Sequence, residues 1–181
     1  FFILTMTIGL SIAFGLLCWQ QANQFVNIPK WATSYTPVDF GMDDYENFSV
    51  ITEDGLTIRD WTIDPTREVG ATFIFLHGHG GNIVDLIPEA QLFTGMGYGA
   101  VLFDMRGHGS SDDAPVTMGV NEVLDVEAVY NFVLEQEAVN PERLLIYGNS
   151  MGASVAILSA ELIPNIRLVI ADAPYSSIRD A

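Results

Sequence analysis

The sequence Gly-Asn-Ser-Met-Gly at residues 148–152 constrains the fold more than any other stretch, because it separates two segments of different pattern. An apolar run over residues 143–147 precedes it, and a small-residue amphipathic run over residues 153–162 follows it. This context predicts a strand, a sharp turn and a helix, the setting that a Gly-x-Ser-x-Gly nucleophile elbow requires. The flanking glycines permit the tight turn, which would hold Ser150 in a strained conformation at the carboxyl end of the strand.

A turn of this kind gives two residues a chemical role. The predicted helix begins directly behind the serine, so the backbone N–H of Met151 would point to the same place as the serine oxygen and could stabilise an oxyanion. We therefore predict Ser150 as a nucleophile and Met151 as an oxyanion donor. The alternative is a turn serine, flanked by glycines, that carries no chemistry.

A second glycine-rich turn, His-Gly-His-Gly-Gly-Asn at residues 77–82, follows an apolar strand predicted over residues 71–76. Its uncovered backbone N–H groups make it the expected position of the other oxyanion donor. Asn82 is expected to cap the helix predicted over residues 83–96. A glycine turn that only links the strand to the helix is the alternative.

Spacing excludes three other sites at this turn. A dinucleotide-binding fingerprint would need glycine at position 83, where Ile83 stands, and a phosphate-binding loop would need Gly-Lys-Ser or Gly-Lys-Thr. The pair His77 and His79 lacks the nearby Asp-His that would complete a metal cluster. We predict no metal and no organic cofactor, and we expect both imidazoles to pack and hydrogen-bond.

Short apolar strands alternate with amphipathic helices along most of the chain. A continuously apolar strand between such helices is typical of the α/β class, with a mostly parallel sheet and helices on both faces. An initial hairpin is expected around the turn at residues 53–55. Strands are predicted over residues 45–52, 56–63, 71–76, 100–104, 144–147 and 168–171, and helices over residues 83–96, 122–138 and 151–162.

These motifs resemble those of the α/β-hydrolase superfamily, and the chain is most similar to bacterial members of the serine aminopeptidase or monoacylglycerol lipase type with an N-terminal membrane segment. The resemblance implies an α/β-hydrolase fold, with Ser150 as the nucleophile and the backbone N–H groups of His79 and Met151 as the oxyanion hole. It leaves open whether the substrate is an ester, an amide or a peptide. Four blocks that follow apolar strands carry it: residues 77–80, 104–111, 148–152 and 171–174.

The histidines depart from the superfamily pattern. Triads in this superfamily run in the order Ser, then Asp or Glu, then His, whereas all three histidines precede Ser150. The acidic residues after the serine are Glu161, Asp172 and Asp180. Asp172 ends a predicted strand and is expected to hydrogen-bond to local backbone rather than to act as triad acid. We therefore expect the chain to be a fragment whose acid and base follow Ala181.

The loop over residues 104–113 contains Asp104, Arg106 and His108, which could be mistaken for a catalytic set. Arg106 keeps its charge and cannot act as a base near neutral pH. We expect it to form an ion pair that braces the loop. His108 has a glycine on each side, which indicates a turn in which the backbone conformation, rather than the imidazole, is the constraint.

The first 29 residues carry no charge. Residues 1–19 have the length of a membrane-spanning helix, about 17–25 residues, and we predict a single-pass transmembrane anchor there. A cleavable signal peptide and a buried core helix are the alternatives. Residues 20–44 are predicted as a linker and residues 45–181 as the N-terminal portion of the hydrolase domain. Scarce positive charge after the anchor favours an extracytoplasmic catalytic domain.

Acidic residues greatly outnumber basic ones, 23 against 7, for a formal net charge of −16. This charge repels nucleic acid and makes a nucleic-acid partner improbable. We predict a serine hydrolase of small-molecule esters or related acyl compounds, held at a membrane by its N-terminal helix. A serine peptidase or amidase is the nearest alternative. A membrane-tethered binding module that keeps this fold without its triad is the alternative from another class.

Overall fold

One six-stranded sheet is the centre of the fold. The computed structural model describes residues 2–66 and 70–177, with side chains from Thr5 onward. The strands are Glu46–Ile51 (β1), Thr57–Ile63 (β2), Thr72–Leu76 (β3), Gly99–Phe103 (β4), Leu144–Asn149 (β5) and Ile166–Asp172 (β6). Their order in the sheet is β1-β2-β4-β3-β5-β6. β1 pairs antiparallel with β2, β2 pairs antiparallel with β4, and the other neighbours are parallel. The mostly parallel sheet and its initial hairpin are confirmed.

Helices lie on both faces of the sheet, as predicted. They are Phe2–Val26 (α1), Ile87–Gly95 (α2), Glu122–Leu134 (α3) and Met151–Leu162 (α4), with 3-10 helices at Pro37–Phe40 and Ile83–Leu86. Buried residues of α3 and α4 share one hydrophobic cluster, and buried residues of α2 belong to a second cluster. The sheet therefore separates two apolar layers.

Strand β3 shows why a continuous apolar run folds in this way. Successive side chains of a strand point to opposite faces, and all five residues of β3 are buried. Ile74 and Leu76 join the cluster that contains α3 and α4, whereas Phe73 and Phe75 join the cluster that contains α2. Both faces of β3 are covered, so its carboxyl end is held firmly where the glycine-rich turn begins.

Two helices differ from their predicted bounds. The helix predicted over residues 83–96 is divided into a 3-10 helix and α2. Pro88 lies in the first turn of α2, and because proline has no N–H it favours a new start there over a continued helix. The helix α3 ends at Leu134 rather than Ala138, where Glu135 N–H turns back to the carbonyl oxygen of Phe132. α4 has the predicted bounds.

Helix α1 covers the segment predicted as a membrane anchor and continues through Val26 into the segment predicted as a linker. Among the residues that the structure describes, no helix combines the length and the apolar character needed to cross a membrane. The predicted membrane span over residues 1–19 therefore finds no support in the structure. The extracytoplasmic position of the hydrolase domain stays a prediction.

Candidate active site

Ser150 forms the turn between β5 and α4. Its backbone has φ 52° and ψ −114°, a left-handed φ that a non-glycine residue adopts only where the surrounding structure imposes it. The residue is exposed at the carboxyl end of β5. Its N–H donates to the carbonyl oxygen of Asp172 at the end of β6, at 2.8 Å. The strand, sharp turn and helix predicted from the sequence are confirmed.

The glycines on either side of Ser150 allow three backbone segments to touch. A Cβ on Gly148 would overlap the carbonyl group of Gly152, and a Cβ on Gly152 would overlap the carbonyl oxygens of Leu76 and His77. Only glycine fits such close approaches of backbone to backbone. As a result, the start of α4 lies directly against the end of β3, where the second motif begins.

The second motif, residues 77–82, lies beside the elbow. A Cβ on Gly78 would be 3.4 Å from the side-chain oxygen of Asn149 and 3.5 Å from the Cβ of Ser150. Asn82 ends the turn, and its Oδ1 accepts a hydrogen bond from the N–H of Val84 at 2.9 Å. The predicted cap is therefore present, although the helix it begins is the 3-10 helix.

The backbone N–H groups of His79 and Met151, predicted as the oxyanion donors, belong to the residues that directly follow Gly78 and Ser150 on these two turns. Within the part of the chain that the structure describes, neither N–H is used in a backbone hydrogen bond. Met151 is also the first residue of α4, whose N-terminus carries positive partial charge. Free donors at such a position are what the stabilisation of a developing oxyanion requires.

His77 is completely buried and holds the end of β3 to the loop after β4. Its Nε2 accepts a hydrogen bond from the N–H of Met105 at 3.0 Å, so its Nδ1–H donates to the carbonyl oxygen of Gly78 at 2.8 Å. Burial lowers the pKa of His77 and keeps it neutral. The predicted packing and hydrogen-bonding role of this imidazole is confirmed.

His108 braces the glycine-rich turn with its imidazole. Its Nε2 accepts a hydrogen bond from the N–H of Gly80 at 3.1 Å, and its Nδ1–H donates to the carbonyl oxygen of Arg106 at 2.9 Å. The ring meets His77 edge to face, with centroids 4.6 Å apart. The expectation that the backbone conformation of this turn, rather than the imidazole, is the constraint was wrong, since the imidazole holds the N–H of Gly80. Gly80 is distant in sequence, so no local pattern indicates this contact. Both ring nitrogens are occupied, so His108 has no lone pair left for base catalysis.

The buried His108 gives a pH-dependent stability. Burial lowers its pKa to about 4, whereas an unfolded histidine has a pKa of about 6.5. The unfolded chain thus binds more protons between these values, and this contribution to stability is lost as the pH falls through that window. Between pH 6.5 and about 4.5, we expect the free energy of unfolding to fall by roughly 2 kcal/mol more in the wild type than in His108→Asn.

Urea denaturation at a series of pH values measures this difference. Other groups with shifted pKa values, among them His77, Asp60 and Asp125, are common to both proteins and cancel to first order in the comparison. Parallel pH dependences for the wild type and the variant would contradict the assignment.

Arg106 braces the loop after β4 through two carboxylates, as predicted. Its Nε and Nη2 lie 2.9 and 2.8 Å from Oδ1 of Asp125, and its Nη1 lies 2.6 Å from Oδ2 of Asp54. The hydrogen bonds from Arg106 hold the pKa of Asp54 at about 2. Burial raises the pKa of Asp125 to about 6, and the Arg106 donors keep this carboxylate ionised at neutral pH.

Asp104 and Asp60 complete the brace. Asp104 accepts hydrogen bonds from the N–H of Ile83 at 2.9 Å and from the N–H of Ser110 at 2.7 Å. Asp60 accepts from the N–H of Asp104 at 3.0 Å. Burial and the nearby charge of Asp104 raise the pKa of Asp60 to about 8. The carboxylate of Asp104 thus joins the loop over residues 104–113 to Ile83, the residue directly after the turn at residues 77–82.

Two of the three acidic residues after the serine, Asp172 and Glu161, lie within the described part of the chain. The carboxylate of Asp172 accepts a hydrogen bond from the side-chain amide of Asn149 at 3.1 Å, so its partner is a side chain 23 residues away and not the local backbone that was predicted. Glu161 is exposed on α4. Asp180 lies outside the described residues.

Comparisons with known proteins agree with this geometry. Residues 67–181 match the family model described as serine aminopeptidase, S33. A crystal structure of the esterase Pf2001 of Pyrococcus furiosus is similar at a TM-score of 0.75 and 30% sequence identity, covering 83% of this chain and 56% of that chain.

Two proteins similar in sequence extend the comparison. The uncharacterized protein YfhR of Escherichia coli strain K12 is 29% identical over 162 residues, which is 83% of this chain and 56% of that protein. The lysophosphatidylserine lipase ABHD12 of Danio rerio is 27% identical over 181 residues, which is 86% of this chain and 46% of that protein. The chain spans about half the length of these relatives.

Proposed function

This chain belongs to the α/β-hydrolase superfamily, in the family described as serine aminopeptidase, S33, and from that premise we propose that it carries the nucleophile of a serine hydrolase acting on carboxylic esters or related acyl compounds. The observation that carries the proposal is the exposed, strained Ser150, together with two N–H groups, of His79 and Met151, that make no backbone hydrogen bond within the described residues. Family membership alone would leave the chemistry open, since one fold hosts many functions.

The reaction would proceed through an acyl-enzyme. The Ser150 oxygen attacks the substrate carbonyl carbon while its proton passes to a general base. The N–H groups of His79 and Met151 hold the oxyanion of the tetrahedral intermediate. The base then protonates the leaving alcohol as the C–O bond breaks, and water, deprotonated by the same base, releases the acid and restores the serine.

We expect the general base to lie outside these 181 residues of the full-length protein. His77 and His108 use their lone pairs to accept backbone N–H groups. The Nε2–H of His79 donates to the carbonyl oxygen of Phe25 at 2.7 Å. Each imidazole thus has a structural task, and superfamily triads place the histidine after the acid and the serine.

Two similar proteins, the esterase Pf2001 and the lysophosphatidylserine lipase ABHD12, favour an ester substrate. The strongly acidic chain favours a neutral or cationic one. The family description favours a second candidate, a peptidase or amidase, which would use the same serine and oxyanion hole. Turnover of paired ester and amide substrates with one acyl group separates these two candidates.

A fluorophosphonate probe tests the serine chemistry directly. We expect full-length protein to react covalently at Ser150, because an activated serine attacks the phosphorus as it would a carbonyl carbon. Mass spectrometry of the digested adduct identifies the labelled residue. Ser150→Ala should lose labelling, and Ser49→Ala, at an exposed serine of β1, should retain it.

Labelling at Ser110, Ser111 or Ser176 in place of Ser150 would reject the nucleophile assignment. A well-folded full-length protein that reacts nowhere would favour the binding module of the same fold that has lost its triad.

A further inference from the structure

The C-terminal end of α1 contacts the glycine-rich turn directly. The ring of Phe25 stacks on the ring of His79, with centroids 4.5 Å apart and an interplanar angle of 19°. The Nε2–H of the same imidazole donates to the carbonyl oxygen of Phe25 at 2.7 Å. One residue of α1 therefore holds the His79 side chain by its ring face and by its ring nitrogen.

The segment that follows Phe25 is attached at two more points near the site. The N–H of Val116 donates to the carbonyl oxygen of Val26 at 2.8 Å. The Lys30 ammonium contacts the carbonyl oxygen of Ser111 and lies 3.1 Å from a carboxylate oxygen of Asp113. Phe25 is thus tied to the hydrolase domain through its own neighbours as well as through its ring.

The turn itself has little intrinsic stiffness. Three of its six residues, Gly78, Gly80 and Gly81, are glycines, which leave the backbone many conformations to choose from. His108 holds the N–H of Gly80 from the domain side. On the other side, the ring of Phe25 stacks on the ring of His79. His79 is therefore held on one side through its ring and on the other through the peptide that follows it.

We propose that Phe25 is a positioning residue that orients the N–H of His79 toward the oxyanion through the His79 imidazole. The inference rests on the proposed function and assigns a task to a residue outside the glycine-rich turn and the elbow. The donor N–H and the stacked ring both belong to His79. A fixed ring therefore restricts rotation of the peptide that carries this N–H. Small displacements of such groups lower rates considerably.

Phe25→Ala removes the stacked ring and leaves the backbone carbonyl in place. We expect kcat for ester hydrolysis to fall about tenfold with KM unchanged, since complete loss of an oxyanion donor lowers kcat by about 10²–10³. Phe25 is 42% exposed, so the thermal midpoint should change little. Fluorophosphonate labelling of Ser150 should become slower but still reach completion.

Conservative and matched variants separate positioning from a general structural role. Phe25→Tyr keeps the ring and should restore kcat. Tyr35→Ala removes an aromatic ring elsewhere in the N-terminal segment, one that packs on Phe40 at 5.7 Å, and should leave kcat unchanged. Combining Phe25→Ala with His79→Ala should lower kcat no further than His79→Ala alone, because both changes remove the same contact.

Additive effects of Phe25→Ala and His79→Ala on kcat would overturn the proposal. A rise in KM with unchanged kcat would also overturn it, by indicating direct contact between Phe25 and the substrate. In either case normal labelling of Ser150 would leave the proposed function intact. Absence of labelling in the wild type would remove both.

Discussion

Replacing Ser150 by alanine is expected to lower kcat for ester hydrolysis by about 10⁶-fold in the full-length protein, the scale of loss seen when a serine hydrolase loses its nucleophile. No acyl-enzyme can form, so the reaction must rely on direct attack by water. The oxyanion donors of His79 and Met151 remain in Ser150→Ala and should sustain a residual acceleration of about 10³–10⁴ over the uncatalysed reaction. Active-site titration and steady-state kinetics with an activated ester measure both quantities.

Ser154→Ala is the matched control for this experiment. Ser154 lies one turn further along α4, is buried, and exchanges hydrogen bonds between its Oγ and the backbone of Tyr175. Its loss should reduce the free energy of unfolding by about 1–3 kcal/mol through the unpaired backbone groups, with kcat within about tenfold of the wild type. A Ser150→Ala protein that keeps more than about one per cent of wild-type kcat would rule out Ser150 as the nucleophile.

Replacing Arg106 by methionine is expected to reduce the free energy of unfolding by about 3–5 kcal/mol, because it leaves the buried carboxylate of Asp125 without its charged partner. The methionine fills much of the space, so the loss reports mainly the unpaired charge. Urea denaturation near neutral pH measures it. Protonation of Asp125 relieves the unpaired charge, so the stability gap between Arg106→Met and the wild type should narrow as the pH falls from about 8 to about 5.

Arg59→Met is the control. Arg59 pairs at 2.9 Å with Asp112, which lies in the loop over residues 104–113 that also contains Arg106. Both side chains of this pair are partly exposed. An exposed ion pair contributes little to stability, so Arg59→Met should change the free energy of unfolding much less than Arg106→Met. Equal losses for the two variants, or a gap that does not change with pH, would show that the Arg106 pairs act no differently from a surface ion pair.

The elbow could be predicted from the sequence because its signals are local. Five residues between an apolar run and an amphipathic run sufficed for the strand, the turn and the full extent of α4, Met151–Leu162. The need for glycine at position 152 does not come from the local sequence, since a Cβ there would meet the carbonyl oxygens at the end of β3. The break at Pro88 does have a local signal, because the proline itself favours the start of a helix.

The long-range contacts of the glycine-rich turn at residues 77–82 could not be predicted in this way. The imidazole of His108 accepts the N–H of Gly80, 28 residues earlier, and the ring of Phe25 meets His79 across 54 residues. Neither pair leaves a periodic pattern in the sequence. The lack of charge over residues 1–19 predicted a membrane span, yet the described helices do not include one. Lack of charge is a compositional signal, and it does not reveal that the end of α1 is fastened to the turn.

The backbone contacts made possible by Gly148 and Gly152 also bear on how this protein could change over evolutionary time. They pack the turn at Ser150 and the end of β3 into one rigid block, so any side chain at either position would separate the serine from the proposed oxyanion donors. Substitutions at these two glycines therefore cannot gradually alter the arrangement of the proposed catalytic groups. Surfaces that select the acyl group or the leaving group can diverge freely, provided that their changes stay outside this block. New substrate preferences can therefore arise without the reaction having to be assembled again.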